Sequence, residues 1–215
     1  MAFVFLSGAT GFLGRNLAVE LLRRGHRDRA LVRAGSERRL PAGCEAVTAD
    51  PLLADSYREL IAPADTFVHL VGVSHPSPAK AAQFRTIDLK SAQAAAGAAK
   101  AAGVRHFVYV SVAHPAPVMQ EYIAARVEGE EAIRAAGLNA TILRPWNILG
   151  PGRRWPLLLL PMYWVMGAIP SMRASAQRLG LVTLRQMIGA LTRAVEDPAT
   201  GTRVWEVPQL RVSRL

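Results

Sequence analysis

Three glycines at G-x-x-G-x-x-G spacing, in Gly8-Ala9-Thr10-Gly11-Phe12-Leu13-Gly14, constrain this chain more than any other feature. They follow the apolar run Ala2-Phe3-Val4-Phe5-Leu6 and precede Arg15-Asn16-Leu17-Ala18-Val19-Glu20-Leu21-Leu22, whose apolar residues recur at helical spacing. A buried strand therefore enters a tight turn and leaves it as a helix. Glycine admits backbone conformations closed to other residues and lets another group approach the main chain. At a helix start, free N–H groups and the helix dipole favour negative charge. Strand, turn and helix together predict a pyrophosphate site with Gly8, Thr10, Gly11, Phe12, Leu13 and Gly14 around a dinucleotide.

Further strand-like and helix-like segments alternate along the chain. Residues 29–33, 45–48, 66–71, 106–110 and 140–143 read as strands two to six. Residues 56–61 read as a short helix, Ala79 to Ala102 as one long Ala-rich helix stopped by Gly103, and Glu121 to Ala136 as a helix closed by Gly137. Such alternation calls for right-handed βαβ units, that is, an α/β fold with a doubly wound parallel sheet. Residues 1–145 are expected to form this nucleotide-binding domain. Residues 146–215 are expected to form a small C-terminal cap packed on it, returning through Leu184–Val195 and Arg203–Val207.

The length of 215 residues suits one well-buried domain. Ala2–Leu6 is too short for a signal peptide, so a cytoplasmic location is the default expectation. Cys44 is the single cysteine, which excludes an internal disulfide and a cysteine metal cluster. No pair of His or acids has metal-ligand spacing, so no metal is expected. The net charge of +10 divides as +5 over residues 1–40, −2 over 41–140 and +7 over 141–215. No basic stripe is interleaved with aromatics, which argues against nucleic acid as a partner.

These pieces resemble the short-chain dehydrogenase/reductases, in the atypical or extended branch that holds NmrA-like and epimerase-dehydratase-like proteins. The likeness rests on the glycine turn, Ala30-Leu31-Val32-Arg33, Asp50, Val68-His69-Leu70-Val71-Gly72, Phe107-Val108-Tyr109-Val110-Ser111, Tyr122 with Glu128, and Thr141-Ile142-Leu143-Arg144-Pro145. Ile148-Leu149-Gly150-Pro151-Gly152 and Glu196-Asp197-Pro198 also fall where such proteins have similar segments. The resemblance spans nearly the whole chain and implies a Rossmann-type sheet and nicotinamide chemistry.

The end of strand two bears on the cofactor. An acid there suits the ribose 2′-hydroxyl of NAD, whereas Arg suits the 2′-phosphate of NADP. Here Arg33 stands at that place, with Ser36, Arg38 and Arg39 behind it and no acid before Glu37. A guanidinium matches a phosphate in bidentate geometry, so NADP(H) is expected over NAD(H). The resemblance places Asp50 near the adenine amine, where a helix-capping role ahead of Pro51 competes. Leu70, Val71 and Gly72 are expected to pass close to the adenine ribose.

In the family a Ser or Thr orients the substrate oxygen, a Tyr donates the proton, and a Lys four residues on anchors the nicotinamide ribose. The resemblance assigns these roles to Ser111, Tyr122 and Arg126. Arg126 replaces the Lys; it keeps the charge and, at i,i+4, the helical face of Tyr122, but cannot relay a proton. Three outcomes stand open: a working variant dyad, a site that binds NADP(H) without turnover, or Tyr122 as mere core packing. Thr10, Asn147, His75 and His114 could also line the pocket, although a solvated loop role suits the two histidines better.

Between Thr141 and Val195 there are seven Arg and no Asp or Glu. Within that stretch, residues 155–170 are apolar, proline-broken and too short to span a bilayer. They suit the lid of an apolar pocket, a partner-protein surface or a membrane-surface contact. The functional expectation is an NADP(H)-dependent oxidoreductase for a small, largely apolar carbonyl or alcohol substrate. The alternatives are a non-catalytic NADP(H) sensor or assembly protein and, more weakly, a nucleotide-sugar epimerase-like enzyme.

Overall fold

The computed structural model describes residues 1–152 and 155–213. Its strands are β1 (Phe3–Ser7), β2 (Arg27–Val32), β3 (Glu45–Thr48), β4 (Thr66–His69), β5 (His106–Val110), β6 (Ala140–Arg144), β7 (Asn147–Leu149), β8 (Leu181–Thr183) and β9 (Thr202–Glu206). Its α-helices are α1 (Phe12–Arg23), α2 (Arg58–Ile61), α3 (Ala81–Gln83), α4 (Lys90–Ala101), α5 (Gln120–Ala135), α6 (Leu160–Ala168), α7 (Pro170–Arg178), α8 (Leu184–Glu196) and α9 (Val207–Val212). Seven strands form one parallel sheet in the order β3-β2-β1-β4-β5-β6-β9. The order reverses between β1 and β4, the switch point outside whose carboxyl ends sheets of this kind take their ligands.

Alternation along the central strands explains the two layers of helices. Val4, Leu6, Val68 and Val108 face one side and meet Leu17 and Leu21 of α1 with Met187 and Leu191 of α8. Phe5, Phe67 and Phe107 face the other, against the alanines of α4 and Ile133 of α5. Their rings sit 5.0 and 5.2 Å apart between centroids. Such pairs contribute about 0.5–1.5 kcal/mol each beyond their buried area. The small alanines of α4 let that helix lie close to the aromatic row.

The long helix expected over 79–102 is interrupted. After α3 the chain makes a π-helical turn, Phe84–Leu89, before α4 resumes. The wider turn directs both Phe84 and Asp88 inward, and both are buried. Strand four also ends earlier than expected, at His69, although the Leu70 N–H still donates to the Ser7 carbonyl.

After β6 the chain leaves the sheet as β7, passes through α6 and α7, and returns as β8, which pairs parallel with β7 from Asn147↔Leu181 to Leu149↔Thr183. A reciprocal Thr183–Gln186 capping box then starts α8, and β9 joins the sheet beside β6. Arg153 and Arg154, at the head of the apolar stretch, lie outside the described residues. Among the described residues, no helix is long and apolar enough to cross a membrane.

Candidate active site

The glycine turn is built for close approach. Gly8 has φ +81°, and a Cβ there would lie 2.7 Å from the Leu70 carbonyl carbon and 3.0 Å from the Val71 nitrogen. The end of β1 is thereby seated on the backbone after β4, bringing Gly8 together with Leu70 and Val71. A Cβ at Gly14 would fall on the Gly8 carbonyl oxygen, so this glycine lets α1 pack tightly on the turn. Gly11 is the N-cap of α1, offers no side-chain cap, and is followed by a first turn without acids. The opening amides of α1 thus keep their donors and dipole for an anion. Phe12 bounds this end of the crevice against Gly150, whose Cβ would lie 2.7 Å from the Phe12 ring. Thr10 and Leu13 are half-buried beside it. These features fit the linked phosphates of a dinucleotide.

Arg33, Arg38 and Arg39 are exposed just beyond β2. Glu37, the acid among them, turns back into its own loop. Its carboxylate accepts from the Gly35 N–H at 3.2 Å and the Thr48 hydroxyl at 3.0 Å. Its own backbone amide and the Thr48 hydroxyl hold it below the ordinary carboxylate range. Asp50 serves a local turn, accepting from the Leu52 N–H at 2.9 Å through Oδ1, while its carbonyl receives the Ser56 hydroxyl.

On the far side of the switch point, Tyr122 and Arg126 share a face of α5, as their spacing requires. Tyr122 is half-buried, with its ring 5.0 Å from that of Phe84. The Arg126 guanidinium lies 5.3 Å from the Tyr122 ring centre and 5.8 Å from that of Tyr109. It is not free for a ligand in the manner expected of a ribose anchor. Arg126 is 6% exposed, Nη1 donates to the Val110 carbonyl at 3.0 Å, and Nη2 pairs with Asp88 Oδ1 at 2.6 Å. Asp88 is fully buried, and its Oδ2 accepts from the Val73 N–H at 3.0 Å. Burial pushes the Asp88 carboxyl up, against the pull of Arg126 and the Val73 amide. The exposed Gly72 packs directly against the same guanidinium, where a Cβ would collide with Nη2.

Ser111 is placed elsewhere. It is buried beside Glu130, and no hydrogen bond joins its hydroxyl to Tyr122. Glu130 is fully buried and binds Arg144 at 2.5 and 2.9 Å and Arg134 at 2.9 Å. Burial alone would raise its carboxyl, but Arg144, Ser111 and Arg134 together hold it below its ordinary value. His114 approaches the same carboxylate at 3.9 Å, and burial, the largest effect, lowers its pKa. Glu128, named with Tyr122 among the residues that carry the resemblance, forms an outer ion pair with Arg85 at 2.7 Å. Asn147 is half-buried on β7.

His75 is exposed, and its ring nitrogen lies 3.0 Å from the Ser74 hydroxyl. His75 and Met119 adopt φ of 51° and 62°, a left-handed conformation uncommon for such side chains. They stand in the loops after β4 and before Tyr122, where backbone strain is often stored at functional sites.

Sequence reasoning missed Asp88 and Glu130, yet both left a signal. Asp88 is the one acid between Asp65 and Glu121, and Glu130 continues the Tyr122–Arg126 series at a further i+4.

Residues 8–152 match the NAD(P)H-binding family. The chain belongs to it. Among curated relatives, it is 32% identical to a ceramide reductase of Caulobacter vibrioides (strain NA1000 / CB15N), over 92% of this chain and 62% of that protein. It is 27% identical to the photosystem II assembly factor Ycf39 of Cyanophora paradoxa, over 94% and 64% respectively. The chain therefore spans a little under two thirds of either relative. Among solved structures, the enzyme WbmH of Bordetella bronchiseptica in complex with NAD+ shares the fold. Its TM-score is 0.71 at 19% identity, covering 96% of this chain and 75% of that one. The chain is thus a member of the NAD(P)H-binding family with a Rossmann-type α/β fold.

Proposed function

We propose that this protein is an NADP(H)-dependent reductase for the carbonyl of a largely apolar substrate. The observation that carries the reading is the loop after β2. Its one carboxylate, Glu37, is tied to Gly35 and Thr48, while Arg33, Arg38 and Arg39 face solvent. That loop offers a 2′-phosphate guanidinium donors and sets no free acid against it. The ceramide reductase relative supports reduction of an apolar, lipid-like molecule.

NADPH, when bound, supplies hydride to the carbonyl carbon. Tyr122 is the group that would give its hydroxyl proton to the carbonyl oxygen. Arg126 keeps a fixed positive charge beneath that ring as the proton leaves. In this reading Arg126 is a positioning residue, because its donors already serve Asp88 and Val110. Ser111, turned toward Glu130, supports the floor of the site instead of orienting the substrate oxygen.

The buried Asp88–Arg126 pair also favours a second reading, an NADP(H)-binding protein without turnover, and the assembly-factor relative belongs with it. NADPH oxidation against a panel of long-chain and short-chain carbonyls separates the two. Turnover that Tyr122→Phe lowers about 100-fold supports the reductase. Tight NADPH binding with no turnover on any carbonyl supports the second reading. Arg33→Ala is expected to erase most of a preference for NADPH over NADH, and tighter NADH binding by the unaltered protein would refute the cofactor assignment.

A further inference from the structure

Of the twelve large apolar side chains exposed among the described residues, six fall between Leu157 and Met172: Leu157, Leu158, Leu160, Trp164, Ile169 and Met172. Scattered single exposures are ordinary, but half of them gathered within sixteen residues form a patch. Leu158 is 82% exposed and Trp164 86%, so these two project outward. The opposite side of the segment is anchored. Pro156 is buried, and Tyr163 packs against the core cluster beneath the sheet's carboxyl end. Its phenol is pushed up chiefly by burial, with Asn147 and Trp146 as polar neighbours. Arg178 at the end of α7 donates to the Pro115 carbonyl, in the loop that leads to Tyr122.

We propose that this face docks on an anionic lipid membrane, lying in the plane of the headgroups. The occupant follows from charge. The patch sits in a stretch of residues 141–195 without an acid; of its seven Arg, Arg144 is tied to Glu130 and Glu206 and Arg193 lies over Trp205, while Arg173 and Arg185 are exposed. Such a surface is drawn to negative headgroups, with Arg stems able to lie along apolar surface while their heads stay in water. A symmetric dimer through this face would set one Arg-rich patch against its own copy, which like charge opposes. An acidic protein partner would need a shaped counterpart for Leu158 and Trp164, whereas acyl chains and headgroups accommodate projecting side chains without one. Tryptophan is suited to that boundary, having an apolar body and a polar N–H. The helices on either side of Ile169 are nine residues each, with Pro161 and Pro170 in their first turns, which suits lying on a bilayer and not spanning it. The inference rests on exposure and charge alone and holds whether or not the protein turns over a substrate.

The test is co-sedimentation of the full chain with phosphatidylcholine vesicles, with and without phosphatidylglycerol, at low and high salt. Partition into the anionic vesicles, weakened at high salt, is expected, and the paired variant Leu158→Ser with Trp164→Ser should reduce it about tenfold. Arg153→Gln, Arg154→Gln and Arg173→Gln together should reduce it by a similar factor and flatten the salt dependence. Both altered side chains of the first variant are exposed, so its circular dichroism and melting midpoint should match the parent. Failure to bind anionic vesicles overturns the proposal, as does binding unaffected by the Leu158 and Trp164 changes. Self-association or capture of an acidic protein that those changes abolish, without vesicle binding, assigns the face to that partner and equally overturns it.

Discussion

Removing Asp88 should strand a charge that has nowhere to go. Arg126 cannot lose its proton, and at 6% exposure water reaches it poorly. In Asp88→Ala the guanidinium loses an ion pair of 2.6 Å, and the Val73 N–H loses its acceptor at 3.0 Å. Breaking a buried pair from one side costs about 3–5 kcal/mol, and an orphaned buried amide adds about 1–3 kcal/mol. Three contacts survive: the bond to the Val110 carbonyl and the two tyrosine rings at 5.3 and 5.8 Å. Cation–π contacts in a desolvated place retain about 2 kcal/mol, so the expected net loss is about 4 kcal/mol.

Urea denaturation of the wild type, Asp88→Ala, Arg126→Met and the double variant closes a mutant cycle. Met fills most of the arginine stem's volume without charge. The double variant should therefore be more stable than Asp88→Ala by about 2 kcal/mol, because the stranded guanidinium is gone. Asp88→Asn should cost less than Asp88→Ala, since its amide oxygen can still accept from Val73. Losses that simply add in the double variant, or a cost below about 1 kcal/mol for Asp88→Ala, would refute the claim that Asp88 exists to neutralise Arg126.

Gly14→Ala drives a methyl into the Gly8 carbonyl oxygen and should weaken NADPH binding at least about tenfold by fluorescence titration, while Gly97→Ala, with open space around it, should not. His69 and His106 are buried neutral, their pKa values lowered by burial to about 3 and about 4, with Arg126 and Arg203 adding to it. Because the unfolded chain protonates near 6.5, stability should hold above that pH and fall by about 1.4 kcal/mol per histidine for each unit below it, down to the folded values, as read by urea melts across pH. Asp28 is 2% exposed, and burial, outweighing the pull of Cys44 and of its own backbone amide, raises its pKa to about 6. Its contribution is retained below the unfolded value near 3.8 and lost as pH rises through 6, so Asp28→Asn should gain stability relative to wild type between pH 4 and 7, and a pH-independent difference would contradict this.

The parallel sheet was legible because each central strand is a continuous apolar run and each connection carries its own turn residues. Gly8, Gly11 and Gly14 specified the phosphate turn because backbone clearance depends on the absence of a side chain, which a sequence states outright. The position of Arg33 just beyond β2 was legible too, because a strand end follows from the apolar run before it. Asp88 was not, since a regular helix over 79–102 gives no hint of the extra residue in the Phe84–Leu89 turn that directs it inward. Glu130 was missed for a subtler reason, because two residues along a helix change the face. Position 130, not 128, shares the face of Tyr122 and Arg126, and Arg144 completes that buried cluster. The pairing of β7 with β8 joins residues more than thirty positions apart, beyond the reach of any local pattern.

Arginine at 126 and aspartate at 88 are best understood as one device. A lysine in that place would carry a compact charge on a flexible stem, able to meet one or two partners and to swing toward a ligand. A guanidinium has a rigid fork and meets several at once: Asp88 through Nη2, Val110 through Nη1, and the faces of two tyrosines. Asp88 in turn reaches the Val73 amide, so a single ion pair links α5, the π-helical turn, the end of β5 and the loop after β4. Those elements frame the crevice where Gly72 and Tyr122 stand. The arrangement gives up a mobile ribose anchor and gains a fixed charge under the tyrosine, held in position before any ligand arrives. In the proposed reading such a site still donates a proton from Tyr122, and the nicotinamide ribose finds its hydrogen bonds on groups other than Arg126. Whether turnover survives the exchange is therefore decided by the placement of the ribose, and not by the presence of positive charge, which both side chains provide.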